Sequence, residues 1–219
     1  MSELSLAEPS GRVVVVTGAA GAVGRLVCKL LDERGAVVVA VGSNASHLET
    51  VEGTAHFECD LSDESAVDEL ASVVRAQFGR VDGVLHLVGG WRGGNNPEDF
   101  EWLESRLLTT LRYVSLAFAD DLATSSAGRF AIVSSTGVDA PTWSNANYTT
   151  LKAAAEVWVQ SLAAHWKKNA HSAAAVTFAV RAIGNLKGHT TVDDLAEHLA
   201  ALWNASTHSI NGARIDLAP

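Results

Sequence analysis

The stretch Val13-Val14-Val15-Val16-Thr17-Gly18-Ala19-Ala20-Gly21-Ala22-Val23-Gly24 decides the fold. Four consecutive valines are too few for a helix and apolar on both faces, which suits a strand covered on both sides, as in a parallel sheet. The run enters a glycine-rich turn, and the apolar spacing beyond it predicts a helix from Gly21 to Glu33. Strand, turn and helix in this order present free backbone amides and the positive end of a helix dipole to an anion, with no bulky side chain in the way. An isolated glycine turn more often serves chain geometry alone. Here it follows the first strand and opens a helix of a β-α-β unit, the context a nucleotide-binding turn requires.

The same rhythm continues outward. Strands are predicted at Val37 to Val41, His56 to Cys59, Gly83 to Val88, Arg129 to Ser134, Ala174 to Val180 and Ala213 to Leu217. Between them come a short helix near Ser46 and helices at Asp63 to Phe78, Glu98 to Leu122, Ala146 to Lys168 and Val192 to Trp203. Ser62, Asn96 and Thr191 are candidate helix caps, and Pro97 suits a first helical position. Residues 11–219 therefore read as one α/β domain of Rossmann type: a doubly wound sheet of about seven parallel strands with helices on both faces. Residues 1–10 read as a flexible segment.

With 219 residues, 47% hydrophobic and 19% charged, the chain can bury a sizeable core. A formal charge of −9 and no clustered basic surface argue against nucleic acid as a partner. No segment has the run of about 18 apolar residues that a membrane span needs, and the start lacks a signal-peptide pattern, so a cytoplasmic protein without membrane attachment is expected. Cys28 and Cys59 lack metal or disulfide spacing and read as buried thiols; the eight histidines are scattered, and no metal is expected.

Chemistry is carried by Tyr148 and Lys152 in Asn147-Tyr148-Thr149-Thr150-Leu151-Lys152. A spacing of four puts both on one helical face, where the ammonium is expected to stabilise a phenolate and lower its pKa from about 10. A phenol so tuned is a proton donor for a carbonyl, and with the nucleotide turn it points to hydride transfer coupled to proton transfer. Asp60, closing the third strand, is placed to accept from an adenine amino group or, equally, to organise the entry of the next helix. After the second strand the chain reads Val41-Gly42-Ser43-Asn44. No acid stands there to bind a ribose 2′-hydroxyl, which favours NADP(H) over NAD(H), although no arginine stands there either.

Taken in order, these motifs resemble the short-chain dehydrogenase/reductase family from Arg12 to Leu217. The Thr17-to-Gly24 turn is similar to the family's cofactor motif, with Ala22 in the place of the usual middle glycine. Asp60 matches its adenine-contacting aspartate, and His86-Leu87-Val88-Gly89 stands where the family has Asn-Asn-Ala-Gly. Ser135 lies thirteen residues before Tyr148, as the family's catalytic serine does. The resemblance implies that Tyr148 protonates the substrate carbonyl, Ser135 hydrogen-bonds the same oxygen, Lys152 assists both the phenol and the nicotinamide ribose, and Thr110 replaces the family's relay asparagine. It also implies dinucleotide contacts from Gly18, Ala20, Gly21, Ala22, Val23 and Gly24, from Ser43, Asn44, Asp60 and Leu61, and from Val88, Gly89, Gly90 and Ile183.

Two departures stand out. The family's Pro-Gly pair after the sixth strand is replaced by Arg181-Ala182-Ile183-Gly184-Asn185, and about ten residues separate Val180 from Thr191, too few for a covering lid. Trp91 and Trp143, in loops beyond strand carboxyl ends, are expected either to line a cleft for a planar or aromatic substrate or to pack against neighbouring loops. Apolar residues on several faces of the helices at Glu98 to Leu122 and Ala146 to Lys168, Trp158 and Trp166 among them, suggest a homodimer or homotetramer. The expected function is reduction or oxidation of a small carbonyl or alcohol. The alternatives are a dihydropteridine-reductase-like enzyme, from the similarity of Gly89-Gly90-Trp91-Arg92-Gly93-Gly94 to that branch, and a nucleotide-binding sensor or scaffold.

Overall fold

A computed structural model describes residues 9–218. Seven strands form one parallel sheet in the order β3-β2-β1-β4-β5-β6-β7: β1 Val13–Thr17, β2 Val37–Gly42, β3 Ala55–Glu58, β4 Gly83–His86, β5 Arg129–Ser135, β6 Ala174–Val180 and β7 Arg214–Asp216. The strand order reverses between β1 and β4, so the loops after Thr17 and His86 diverge and open a crevice at their carboxyl ends. Helices cover both faces: α1 Ala22–Glu33, α2 Ala45–Leu48, α3 Glu64–Phe78, α4 Pro97–Glu104, α5 Thr110–Thr124, α6 Ala146–Asn169, α7 Val192–Ala200 and α8 Thr207–Ile210.

The valine run explains both layers of the core. Successive side chains of a strand point to opposite faces. Val13 and Val15 accordingly join Val67, Leu70, Val114, Phe118 and Trp166 beneath α3, α5 and α6, whereas Val14 and Val16 join Val27, Leu31, Leu195 and Trp203 beneath α1 and α7. Full burial of each such leucine or phenylalanine stabilises the fold by about 1.5–3 kcal/mol. Cys28 and Cys59 are free and buried.

Several sequence expectations shift. Residues 1–8 lie outside the described part, and Pro9 is buried, its carbonyl accepting from Arg12 N at 3.0 Å. Asp63, rather than Ser62, caps α3, its Oδ1 accepting from Ser65 N at 2.9 Å. Asn96 and Thr191 cap α4 and α7 as expected, accepting from Asp99 N and Asp194 N. The expected single helix Glu98 to Leu122 is divided by a wide π turn, Ser105–Thr109, which brings Ser105 and Arg106 to the crevice while Leu107 is buried. Trp166 is buried within this chain's own core, and Trp158 Nε1 donates to Ser115 Oγ at 2.8 Å, so Trp166 cannot serve as an interface residue. No helix of the described residues is long and apolar enough to cross a membrane.

Candidate active site

Two hollows lie side by side along the crevice. The first, about 600 Å³, is lined by the glycine turn (Gly18, Ala20, Gly21), by Ser43, Asp60 and Leu61, and across from them by Arg106 and Thr110. The second, about 500 Å³, is lined by Val23, Gly90, Trp91, Ser135, Tyr148, Lys152 and Ile183, among others. Leu87, Val88 and Gly89 form a wall common to both.

The first hollow is built for phosphate. Gly18 turns the chain with φ 69°, and a Cβ there would stand 2.9 Å from the Leu87 carbonyl. Gly21 caps α1 without a side chain, and no acid sits in the first helical turn, so the amide end of α1 stays open to an anion. These residues fit a dinucleotide.

In the second hollow Tyr148 and Lys152 occupy one face of α6, one turn apart, beside Ser135 at the end of β5. Lys152 Nζ donates to the Val133 carbonyl at 2.7 Å and stands 5.7 Å from the Tyr148 ring centroid. Burial pushes Lys152 down to about 8, with Glu156 acting in the opposite direction. The expectation of a lowered phenol pKa is overturned: burial raises Tyr148, and only the Ser135 hydroxyl opposes it. Desolvation decides the direction, and the Lys152 ammonium, over the ring, does not reverse it. A phenol that keeps its proton at neutral pH, on the wall of an apolar cleft, can hand that proton to a carbonyl oxygen.

Behind these groups lie two polar clusters, of which sequence reasoning named only Thr110 and His86. Glu156, one turn beyond Lys152, accepts from Ser134 Oγ at 2.5 Å and from Arg214 Nε at 2.9 Å, while Arg214 also donates to Asp139 Oδ2 at 2.8 Å and to the Ser135 carbonyl at 3.3 Å. On the other side His86 bonds Thr17 Oγ1 at 2.9 Å and Thr110 Oγ1 at 3.2 Å, and Thr110 donates to the Arg106 carbonyl at 2.7 Å. Burial pushes His86 down to about 3, the Lys152 charge adding in the same direction, so its ring is neutral.

Residues 12–193 match the model of the short chain dehydrogenase family. The chain belongs to the short-chain dehydrogenase family. Relatives in it are named dehydrogenases and oxidoreductases, and solved members hold NAD or NADP. The chain is 27% identical to 2,3-dihydro-2,3-dihydroxybenzoate dehydrogenase of Bacillus subtilis over 164 residues, 69% of this chain and 63% of that relative's length. Among solved structures, a metagenomic short-chain oxidoreductase in complex with NADP superposes with a TM-score of 0.81 at 27% identity, covering 94% of this chain and 98% of the other. A 3-ketoacyl-(acyl-carrier-protein) reductase of Brucella melitensis complexed with NADH shares the fold, with a TM-score of 0.83 at 23% identity over 96% and 98%.

Within this short-chain dehydrogenase most of the expected site residues reach the crevice, but four line neither hollow: Ala22, Gly24, Asn44 and Trp143. Gly24 instead lets α1 sit on the turn, since a Cβ there would lie 2.4 Å from the Gly18 carbonyl oxygen. Asn44 caps α2, its side chain accepting from Ser46 N at 2.9 Å. Trp143 is 81% exposed on the turn before α6, outside the hollows, which corrects its assignment to the substrate cleft. Trp91 does line the second hollow, its Nε1 donating to Asn145 Oδ1 at 3.2 Å. Asp60 Oδ1 accepts from Ser62 N and Oγ at the entry to α3, and the residue lines the first hollow. Arg106, unmarked in the sequence, is brought to the same hollow by the π turn and stacks over Trp102 at 4.6 Å. The family's lid is replaced by residues 181–191, which fold on themselves through Gly184 N to the Thr190 carbonyl and Thr190 N to the Ala182 carbonyl, and no helix lies over the cleft from this segment.

Proposed function

We propose that this protein interconverts a small carbonyl compound and its alcohol, with Tyr148 as the proton donor and acceptor. The observation that carries this reading is the convergence of Tyr148, Lys152 and Ser135 on one hollow that shares a wall with the phosphate-ready glycine turn. When bound, the nicotinamide dinucleotide supplies or accepts the hydride. Tyr148, protonated in its buried setting, gives its proton to the carbonyl oxygen, and Ser135 Oγ holds the same oxygen in line with the phenol. Lys152 places a positive charge beneath the ring and favours the anion that Tyr148 becomes once the proton has left. Thr110 Oγ1, fixed by His86 and the Arg106 carbonyl, borders the first hollow.

Three finer assignments follow from the same surroundings. Ser43 without an acidic neighbour, and Arg106 facing the same space, support NADP(H) over NAD(H), because a guanidinium suits a 2′-phosphate. Trp91 on the wall of the reaction hollow supports a flat, ring-bearing substrate. Leu116 on α5 and Val157 on α6, 56% and 60% exposed, support self-association through that face.

The test follows the absorbance of NADPH and NADH over a panel of ketones, aldehydes, quinones and a quinonoid pterin. Tyr148→Phe should lower turnover by about 10²–10⁴-fold while dinucleotide affinity stays within about threefold. Dinucleotide binding with no oxidation of either coenzyme by any compound would refute the catalytic reading and favour a sensor.

A further inference from the structure

The hollow that holds Tyr148 is electrically one-sided. Lys152 and Arg181 both line it, and no aspartate or glutamate does, in a chain whose formal charge is −9. The two cations differ in what they have left to offer. Lys152 is buried and committed to the Val133 carbonyl. Arg181 stands at the open end of β6, exposed, and among the described residues its side chain makes no hydrogen bond and no ion pair. Its Nη1 would stand 3.4 Å from a Cβ added at Gly188, so the guanidinium rests against the 181–191 loop, and Arg181 itself lines the hollow. That loop, residues 181–191, adds Lys187 and His189 and contains no acid.

We propose that Arg181 binds an anionic group, a carboxylate above all, on the substrate whose carbonyl faces Tyr148. The inference rests on the reading of this hollow as the reaction site and adds the class of compound it accepts. A flat surface at Trp91, a hydroxyl pair at Tyr148 and Ser135, and an unpaired guanidinium fork at Arg181 together suit a planar oxo-acid. A guanidinium holds a carboxylate through two parallel N–H donors, and a cleft with low-dielectric walls strengthens that contact relative to open surface. In a net acidic protein the same feature draws an anion to one place that most of the surface repels.

The experiment measures binding to the complex of the full-length protein with saturating NADP(H) or NAD(H), using benzoate and its neutral, nearly isosteric counterpart benzamide in calorimetric titrations. Benzoate should bind about tenfold more tightly than benzamide, the ratio expected for one charge-assisted contact in a partly solvated cleft. Arg181→Gln should bring the ratio to about one and Arg181→Lys should keep part of it, while dinucleotide affinity measured without either compound changes by less than about twofold. Equal binding of the two compounds, no detectable benzoate binding, or a preference that survives Arg181→Gln overturns the proposal. A loss of dinucleotide affinity as large as the loss of benzoate affinity overturns it too, because the guanidinium would then serve the coenzyme's phosphate. Failure of the hollow itself looks different: no dinucleotide binds at all, or Tyr148→Phe leaves turnover intact, whereas a bound dinucleotide with a benzoate ratio of one counts against Arg181 alone.

Discussion

Replacing Glu156 with alanine tests whether the carboxylate behind the site holds it together. Its side chain is 8% exposed, that of Arg214 25%, and the pair joins α6 to β7 while Ser134 joins it to β5. Removing one member of a buried pair costs about 3–5 kcal/mol when the other is stranded. Arg214 is not wholly stranded, since Asp139 and the Ser135 carbonyl remain, so the expected loss is at the low end, about 3 kcal/mol. For a chain of this size about 2–4 °C is lost per kcal/mol, giving a fall in melting midpoint of roughly 6–12 °C by circular dichroism. Arg214→Ala leaves Glu156 with Ser134 alone and should cost at least as much, and the double variant should cost less than the two single losses added, with a coupling of about 1–3 kcal/mol. Glu156→Gln keeps the shape but removes the charge that opposes the downward shift of Lys152, so Lys152 should titrate below about 8 and the alkaline limb of turnover should move to lower pH. A midpoint for Glu156→Ala within about 2 °C of the unsubstituted protein, with additive single variants, would refute this account of the cluster.

Gly24→Ala should destabilise by about 1–3 kcal/mol and weaken dinucleotide binding, because its Cβ would stand 2.4 Å from the Gly18 oxygen; an unchanged urea midpoint counts against it. The buried His86 titrates near 3 in the fold and near 6.5 when unfolded, so between these values the unfolded chain binds the extra proton and stability declines as the pH falls. His86→Asn should therefore lose less stability than the parent between about pH 7 and about pH 4.5, and equal losses in thermal melts would sink the assignment. Charging the α5/α6 face with Leu116→Asp and Val157→Asp should reduce the mass seen by light scattering to that of one chain without altering the circular dichroism spectrum.

Much of this was legible because it depends on local pattern. Val13 to Val16 followed by Gly18 and Gly21 placed β1, the turn and α1, and the apolar runs located the other six strands within a residue or two. What escaped reading depends on tertiary surroundings. Nothing in Ser105–Thr109 marks a π turn, for it contains neither glycine nor proline, and so Arg106 could not be assigned to the nucleotide hollow. Periodicity shows that a face of α6 is apolar but not what covers it, which is why Trp166 read as an interface residue rather than core. The pKa direction of Tyr148 follows from burial, which its spacing from Lys152 cannot reveal. Glu156 and Arg214 are 58 residues apart; the one local hint was an acid one turn from Lys152 on an otherwise apolar stretch.

The strip Leu87 to Gly89 belongs to both hollows at once. A change there borders both spaces, so variants at these three positions are expected to affect what is held in each. Independent adjustment is left to Ser43 and Asp60 at one extremity and to Trp91, Arg181 and Ile183 at the other. Drift in what the protein recognises should therefore accumulate at the outer margins, while the shared strip stays fixed by having two masters.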